Sequence, residues 1–135
     1  MLRIKPYNIS EVDIILSWSK DETDFYKWSA GVLGEYPIRK EKFDFVNNLM
    51  AFTAIEDDEP VGFFTMRRPS ESFEELRFGF IIVDPSKRRK GYGKRMLQLG
   101  LKFAFEIYGA KNVSLSILQA DAFEQATQLK NELEK

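Results

Sequence analysis

The segment from Leu76 to Leu118 constrains the fold of this chain most. Leu76–Val83 is rich in β-forming residues, and its end, Phe80-Ile81-Ile82-Val83, is apolar at consecutive positions. Such a run marks a central strand covered on both faces. Asp84-Pro85 stops it, and a basic loop follows. A helix is predicted from about Gly91 to Tyr108, with Leu97, Leu101, Ala104, Phe105 and Tyr108 as its buried stripe and Gly109 as its terminator. Val113–Leu118 is a second strand. A strand, a helix and a strand in this order imply a parallel crossover.

The rest of the chain is arranged around that unit. Leu2-Arg3-Ile4-Lys5 alternates as a short strand ended by Pro6. Ser10 and Asp13 have the spacing of a capping box, with Val12, Ile15 and Leu16 behind them at helical spacing. A second helical piece is predicted over Asp21 to Trp28, broken up by Gly31, Gly34 and Pro37. Phe43, Val46, Leu49 and Met50 recur as another helical stripe. Ala51–Ile55 and Val61–Arg67 then read as a hairpin around Glu56–Pro60, and Pro69–Ser72 as a polar loop. Asp121 with Glu124 opens a last helix carrying Phe123, Ala126, Leu129 and Leu133. The predicted order is β-α-α-β-β-β-α-β-α, an α/β (α+β) mixed sheet with helices packed on it, in one domain spanning residues 1–135.

Composition removes several function classes. The chain has no Cys and no His, so disulfides, thiolate metal sites and a Ser-His-Asp triad are excluded and no metal site is expected. A net charge of −1 gives no global attraction to nucleic acid or to an anionic membrane, so an anion site must be local. No apolar run approaches the roughly 20 residues of a membrane span. Met1–Pro6 is too short and too charged for a signal peptide, which makes a cytoplasmic protein the expectation.

The local anion site is the basic loop. Lys87 to Lys90 are consecutive cations, Lys94 and Arg95 follow, and Gly91 and Gly93 sit where a helix begins. The first turn of a helix has unpaired N–H groups and a positive dipole end. Glycines there let a phosphate approach the backbone and permit unusual φ/ψ, and neighbouring N–H groups can form a nest. A pyrophosphate is the natural guest. The dinucleotide fingerprint does not fit, because Met96 stands where a third Gly is needed. A P-loop does not fit either, because Gly93-Lys94 is followed by Arg95. A solvated basic turn is the ordinary reading of a charge run, and a nucleic-acid patch is a third reading. The two glycines and the following helix favour phosphate. No aromatic residue interleaves the run Lys87–Lys90, and the protein is acidic overall, which disfavours nucleic acid.

Phe80-Ile81-Ile82-Val83-Asp84-Pro85 followed by Arg88-x-x-Gly91-x-Gly93 resembles the acetyl-coenzyme A signature of the GNAT N-acetyltransferase superfamily. The resemblance runs from Leu2 to about Ile117. It implies a GNAT-like acyl-CoA N-acyltransferase fold, acetyl-CoA as cosubstrate and a primary amine as acceptor, on a small molecule, a protein N-terminus or a lysine. Backbone N–H groups from Arg89 through Lys90, Gly91, Tyr92 and Gly93 to Lys94 would hold the pyrophosphate, with Arg88 shaping the loop. Main-chain groups of Ile81, Ile82 and Val83 would pair with the pantetheine arm as an added strand would. The strand before the loop would be bulged and splayed from Val113–Leu118, and one N–H there would polarise the acetyl carbonyl.

An alkyl amine acceptor has a pKa of roughly 10.4, so its deprotonation at pH 7 costs about 4.6 kcal/mol. In the family a strand glutamate acting through water usually helps, and Arg77 stands at its position. Glu75, two residues earlier on the same strand face, is the nearest substitute, although Glu74 and Glu75 also read as solvated carboxylates. Trp28, Tyr26 and Tyr36 would lie near an acceptor wall, and packing is the plainer role for each. Phe78, Phe80, Phe103 and Phe105 read as core.

The C-terminal segment departs from the family. The usual Asn-x-x-Ala-x-x-x-Tyr helix falls on Asp121, Glu124 and Gln128, no Tyr follows Tyr108, and no further strands are predicted. A thiolate with a pKa near about 8.5 leaves tolerably without an acid, so slow transfer is expected. The alternative is a non-catalytic acyl-CoA-binding module or a truncated acetyltransferase. A fifth strand without further strands beside it would expose its edge, and self-association as a homodimer is the corresponding expectation.

Overall fold

A computed structural model describes residues 1–19, 49–71, 73–87 and 90–115. Strand β1 spans Arg3–Pro6. A 3-10 turn, Ile9–Glu11, runs into the short helix α1, Val12–Ser17. Strands β2 (Met50–Glu56), β3 (Glu59–Arg67) and β4 (Glu75–Val83) follow. A 3-10 turn, Pro85–Lys87, leads to helix α2, Tyr92–Lys102, which widens into a π-helical segment at Phe103–Tyr108 before β5, Asn112–Leu115. The five strands form one sheet in chain order. Pairing is antiparallel from β1 to β4 and parallel between β4 and β5. The mixed sheet and the crossover through α2 therefore agree with the sequence reading.

The β2–β3 hairpin shows how local chemistry sets register. Glu56 pairs with Glu59, so the turn is only Asp57-Asp58, with φ of 51° and 65°. Two left-handed residues in a two-residue loop match the right-handed twist of the flanking strands, and Asp tolerates that region better than most residues. Pro60, expected in the loop, lies within β3. One extra residue on β3, Val61, follows as a bulge between Pro60 and Gly62.

The sheet carries two apolar faces. Ala54, Phe64, Met66, Leu76, Phe78, Ile81 and Val83 pack against Met96, Leu97, Leu101 and Ala104 on the α2 side. Phe64 lies between Phe52 and Phe78 with ring centroids 5.3 and 5.4 Å away. Glycines let the helix come close. A Cβ built at Gly100 would lie 2.8 Å from the Phe78 ring, and one at Gly62 would lie 2.5 Å from Met96 Sδ. Phe105 and Tyr108 of the predicted stripe are only partly buried, as are Phe80 and Phe103, and all four pack on this core. On the opposite face, Val12, Ile15 and Trp18 pack on Phe63 and Ile82.

Helix entry differs from expectation. The capping box is Asn8 with Glu11, not Ser10 with Asp13. Glu11 Oε1 accepts from Asn8 N at 2.9 Å, from Lys5 Nζ at 2.8 Å and from the buried Thr53 hydroxyl at 3.1 Å. Those bonds to β1 and β2 favour this register, and among the described residues Ser10 and Asp13 show no comparable tertiary partner. Leu49 lies in a bend and Met50 opens β2, so neither continues a helix. There the β2–β3 ladder overrides helical spacing, because Met50 pairs with Met66. Gly109, with φ 88°, ends the π segment as expected. The predicted helices at Asp21–Trp28 and after Asp121, the Phe43 and Val46 positions, Tyr36, and the part of the fifth strand beyond Leu115 lie outside the described residues. Among the described residues no helix is long and apolar enough to cross a membrane.

Candidate coenzyme A site

Strand β4 reaches the site through a bulge. Thr65 pairs with Gly79 and Phe63 with Ile82, so Phe80 and Ile81 together oppose Phe64 alone. Phe80 has φ 49°, in the left-handed region that favours glycine. A non-glycine residue held there stores on the order of 1–3 kcal/mol and persists only when its surroundings fix it. The extra residue also shifts the phase of the strand. Leu76 and Phe78 face the α2 core before the bulge, Ile81 and Val83 face it afterwards, and Ile82 turns to the α1 side. This shift is how four consecutive apolar residues are accommodated. The sequence reading expected a bulge only through family resemblance, and it did not single out Thr65. The local signal available was Gly79, an isolated glycine in a strand.

After the bulge, the chain is turned by Asp84. Its N–H donates to Val61 O at 2.9 Å, which extends the β3–β4 pairing by one bond. Its carboxylate oxygen Oδ1 accepts from both the backbone N and the hydroxyl of Ser86, each at 2.9 Å, and its carbonyl accepts from Lys87 N at 2.8 Å. The Asp84-Pro85 stop is therefore an Asx turn that aims the loop across the strand ends. Arg88 and Arg89 lie outside the described residues.

Gly91 then sets the helix start. Its φ is 81°, and a Cβ built on it would meet no atom within 4 Å. The need for glycine is therefore conformational rather than a matter of space inside the protein. Gly91 O accepts from Arg95 N at 3.1 Å, and no side chain caps α2. The N–H groups of Tyr92, Gly93 and Lys94 precede this bond and have no intrahelical acceptor. They form a donor set with the helix dipole behind it. The Arg95 guanidinium stacks on the Tyr92 ring at 4.7 Å from its centroid, while Lys90 and Lys94 are exposed beside them. Lys90, Gly91, Tyr92, Gly93 and Lys94 thus lie together at the start of α2, with residues 84–89 separating them from Ile81, Ile82 and Val83 at the end of β4.

Glu75 is placed elsewhere. Its Oε2 accepts from the Ser114 hydroxyl at 2.7 Å, and that hydroxyl oxygen accepts from Arg77 Nε at 3.0 Å. Arg77 Nη2 is 4.0 Å from the same carboxylate oxygen. The three residues tie β4 to β5 near their shared start. Glu75 precedes the bulge by five residues, roughly 17 Å of strand. Described β4–β5 pairing runs from Glu75–Asn112 to Phe78–Leu115, and any splaying beyond it falls on residues outside the description. Among the described residues no cluster of His, Cys, Asp or Glu could hold a metal ion.

Similar proteins carry the same architecture. A spermidine N-acetyltransferase from Vibrio cholerae, in complex with CoA and spermine, superposes with a TM-score of 0.73 at 15% identity, covering 97% of this chain and 78% of that one. An aminoglycoside acetyltransferase in complex with coenzyme A gives 0.68 at 10% identity, over 93% and 83%. A GNAT-family acetyltransferase from Bacillus anthracis gives 0.63 at 20% identity, over 81% and 65%. At these identities the likeness is one of fold. No curated protein sequence matches the chain significantly. The sequence model of the acetyltransferase (GNAT) family, however, matches residues 14–127. With that match covering most of its length, and with the strand, bulge, turn and glycine-led helix in one continuous unit, the chain belongs to the GNAT acetyltransferase family.

Proposed function

We propose that this chain is an N-acetyltransferase that moves an acetyl group from acetyl-CoA to a primary amine. One observation carries the reading: the left-handed Gly91 delivers three N–H groups without intrahelical partners at the start of α2, the next α-helix after a strand that is bulged at Phe80. The donor set suits a pyrophosphate, since it is made of backbone N–H groups at a helix N-terminus with Lys90 and Lys94 beside them and, by sequence, Arg88 and Arg89. Main-chain groups of Ile81, Ile82 and Val83 would align the pantetheine arm, and an N–H at the bulge would donate to the acetyl carbonyl. When bound, acetyl-CoA supplies the thioester as the acyl donor. The chain's contribution is positioning and carbonyl polarisation.

Polyamine and aminoglycoside acetyltransferases among the similar structures support an amine acceptor. The acceptor is a small molecule, a protein N-terminus or a lysine. Glu75, the nearest substitute by sequence, is tied to Ser114 and Arg77 roughly 17 Å of strand from the bulge, beyond the reach of one water, so this reading gives it no proton transfer.

Release of free thiol from acetyl-CoA over a panel of amines tests this function. Amine-dependent release is the expected result. Binding of acetyl-CoA without release for any amine would leave only an acyl-CoA-binding module, and absence of binding would remove the site.

A further inference from the structure

We propose that Thr65 is a positioning residue for acetyl transfer, latching the bulge of β4 through its hydroxyl. The Thr65 side chain is buried, with 2% of the residue exposed, and its Oγ1 donates to Gly79 O at 3.0 Å. Gly79 is its register partner on β4 and the residue just before the strained Phe80. The Gly79 carbonyl and the Phe80 N–H belong to one rigid peptide unit. Holding that carbonyl therefore fixes the plane from which the left-handed turn at Phe80 departs.

Two features make this more than a satisfied buried hydroxyl. Gly79 has no side chain, and a Cβ built there would lie 3.2 Å from Thr65 Oγ1. The hydroxyl thus occupies the space a side chain at position 79 would contest. Next along the strands, the two-for-one pairing of Phe80 and Ile81 against Phe64 interrupts the regular ladder, where backbone bonds alone would hold the register. The side-chain bond falls at the last regular pair before that interruption. With the hydroxyl removed, the Gly79 carbonyl loses this donor, a loss that costs most where water cannot replace it.

This inference rests on the proposed function, in which the bulge faces the thioester and the Gly91 loop holds the pyrophosphate. It therefore separates two kinetic quantities. Thr65→Val keeps the shape and removes the donor, whereas Thr65→Ser keeps the donor and removes a methyl. The expected result for Thr65→Val is a fall in kcat of about tenfold, with the Kd for coenzyme A changed less than about threefold. A misplaced donor near the reacting carbonyl has effects of at least that size. Thr65→Ser is expected to keep kcat within about threefold of wild type.

A packing role would give the reverse order, with Val tolerated and Ser harmful, and would overturn the proposal. So would equal turnover in all three proteins. Amide hydrogen exchange at Phe80 and Ile81 in the same proteins supplies a readout independent of turnover. Faster exchange in Thr65→Val but not in Thr65→Ser is expected, and unchanged exchange contradicts the latch even if wild type shows no transferase activity. If Thr65→Val does not fold, Thr65→Ala takes its place in both measurements.

Discussion

Single glycines do two different jobs in this chain, and substitutions separate them. Gly91 is set by φ, with open space around it. Gly91→Asp can therefore fold, at a backbone cost of about 1–2 kcal/mol. It places a carboxylate against the N–H groups of Tyr92, Gly93 and Lys94, and a fall in acetyl-CoA affinity of at least about 100-fold is expected by calorimetry. Gly100 is set by contact, because a Cβ there would lie within 3.1 Å of both Phe78 and Phe64. Gly100→Ala should lower stability by about 1–3 kcal/mol in denaturant unfolding, and its folded fraction should bind acetyl-CoA as wild type does. Gly91 and Gly93 are legible in the sequence because glycine at a helix start has few other uses. The strain at Phe80 is not legible, because nothing in the residue type announces a left-handed φ. It follows from pairing with β3, a tertiary fact.

At the scale of elements, the β2–β3 hairpin and the N-terminal clamp give opposite expectations. The turn at Asp57-Asp58 holds two carboxylate residues in left-handed conformations. Replacing the pair with Asn-Gly, which suits that turn better, should stabilise the protein by about 0.5–1 kcal/mol in thermal or denaturant unfolding. At the other site, Glu11 accepts from Lys5, Asn8 and Thr53, and Thr53 is fully buried. Glu11→Ala should destabilise by about 1–3 kcal/mol, and a variant as stable as wild type would mean that the clamp is ornamental. Both features show where sequence reading stops. The hairpin was visible from two β-runs around an acidic stretch, but its two-residue turn was not, because Pro60 suggested a longer loop. Ser10-x-x-Asp13 and Asn8-x-x-Glu11 are both plausible capping boxes. Only the bonds from β1 and β2 decide between them.

For the whole molecule, the crossover from β4 through α2 to β5 was legible because an apolar strand, a basic glycine loop and an amphipathic helix follow one another without interruption. The candidate site could be named for the same reason, since one continuous segment would build it. Glu75 illustrates the opposite case. Its strand face can be read from spacing, but its attachment to Ser114 depends on β5 lying beside β4. A net charge of −1 with a local run of cations also has a consequence for binding. Affinity for acetyl-CoA should weaken as salt rises, because the cations beside the loop are exposed and screened.

The central claim is that the glycine-led start of α2 binds the pyrophosphate of acetyl-CoA. Titration of acetyl-CoA into wild type and Gly91→Asp, read by calorimetry and by thermal unfolding, tests it most directly. Wild type should bind and gain about 2.7 kcal/mol of stability at 100 times Kd, while the folded variant at the same concentration should gain no more than about 0.4 kcal/mol. No response of wild type at millimolar acetyl-CoA, or equal affinity in the folded variant, would contradict the claim.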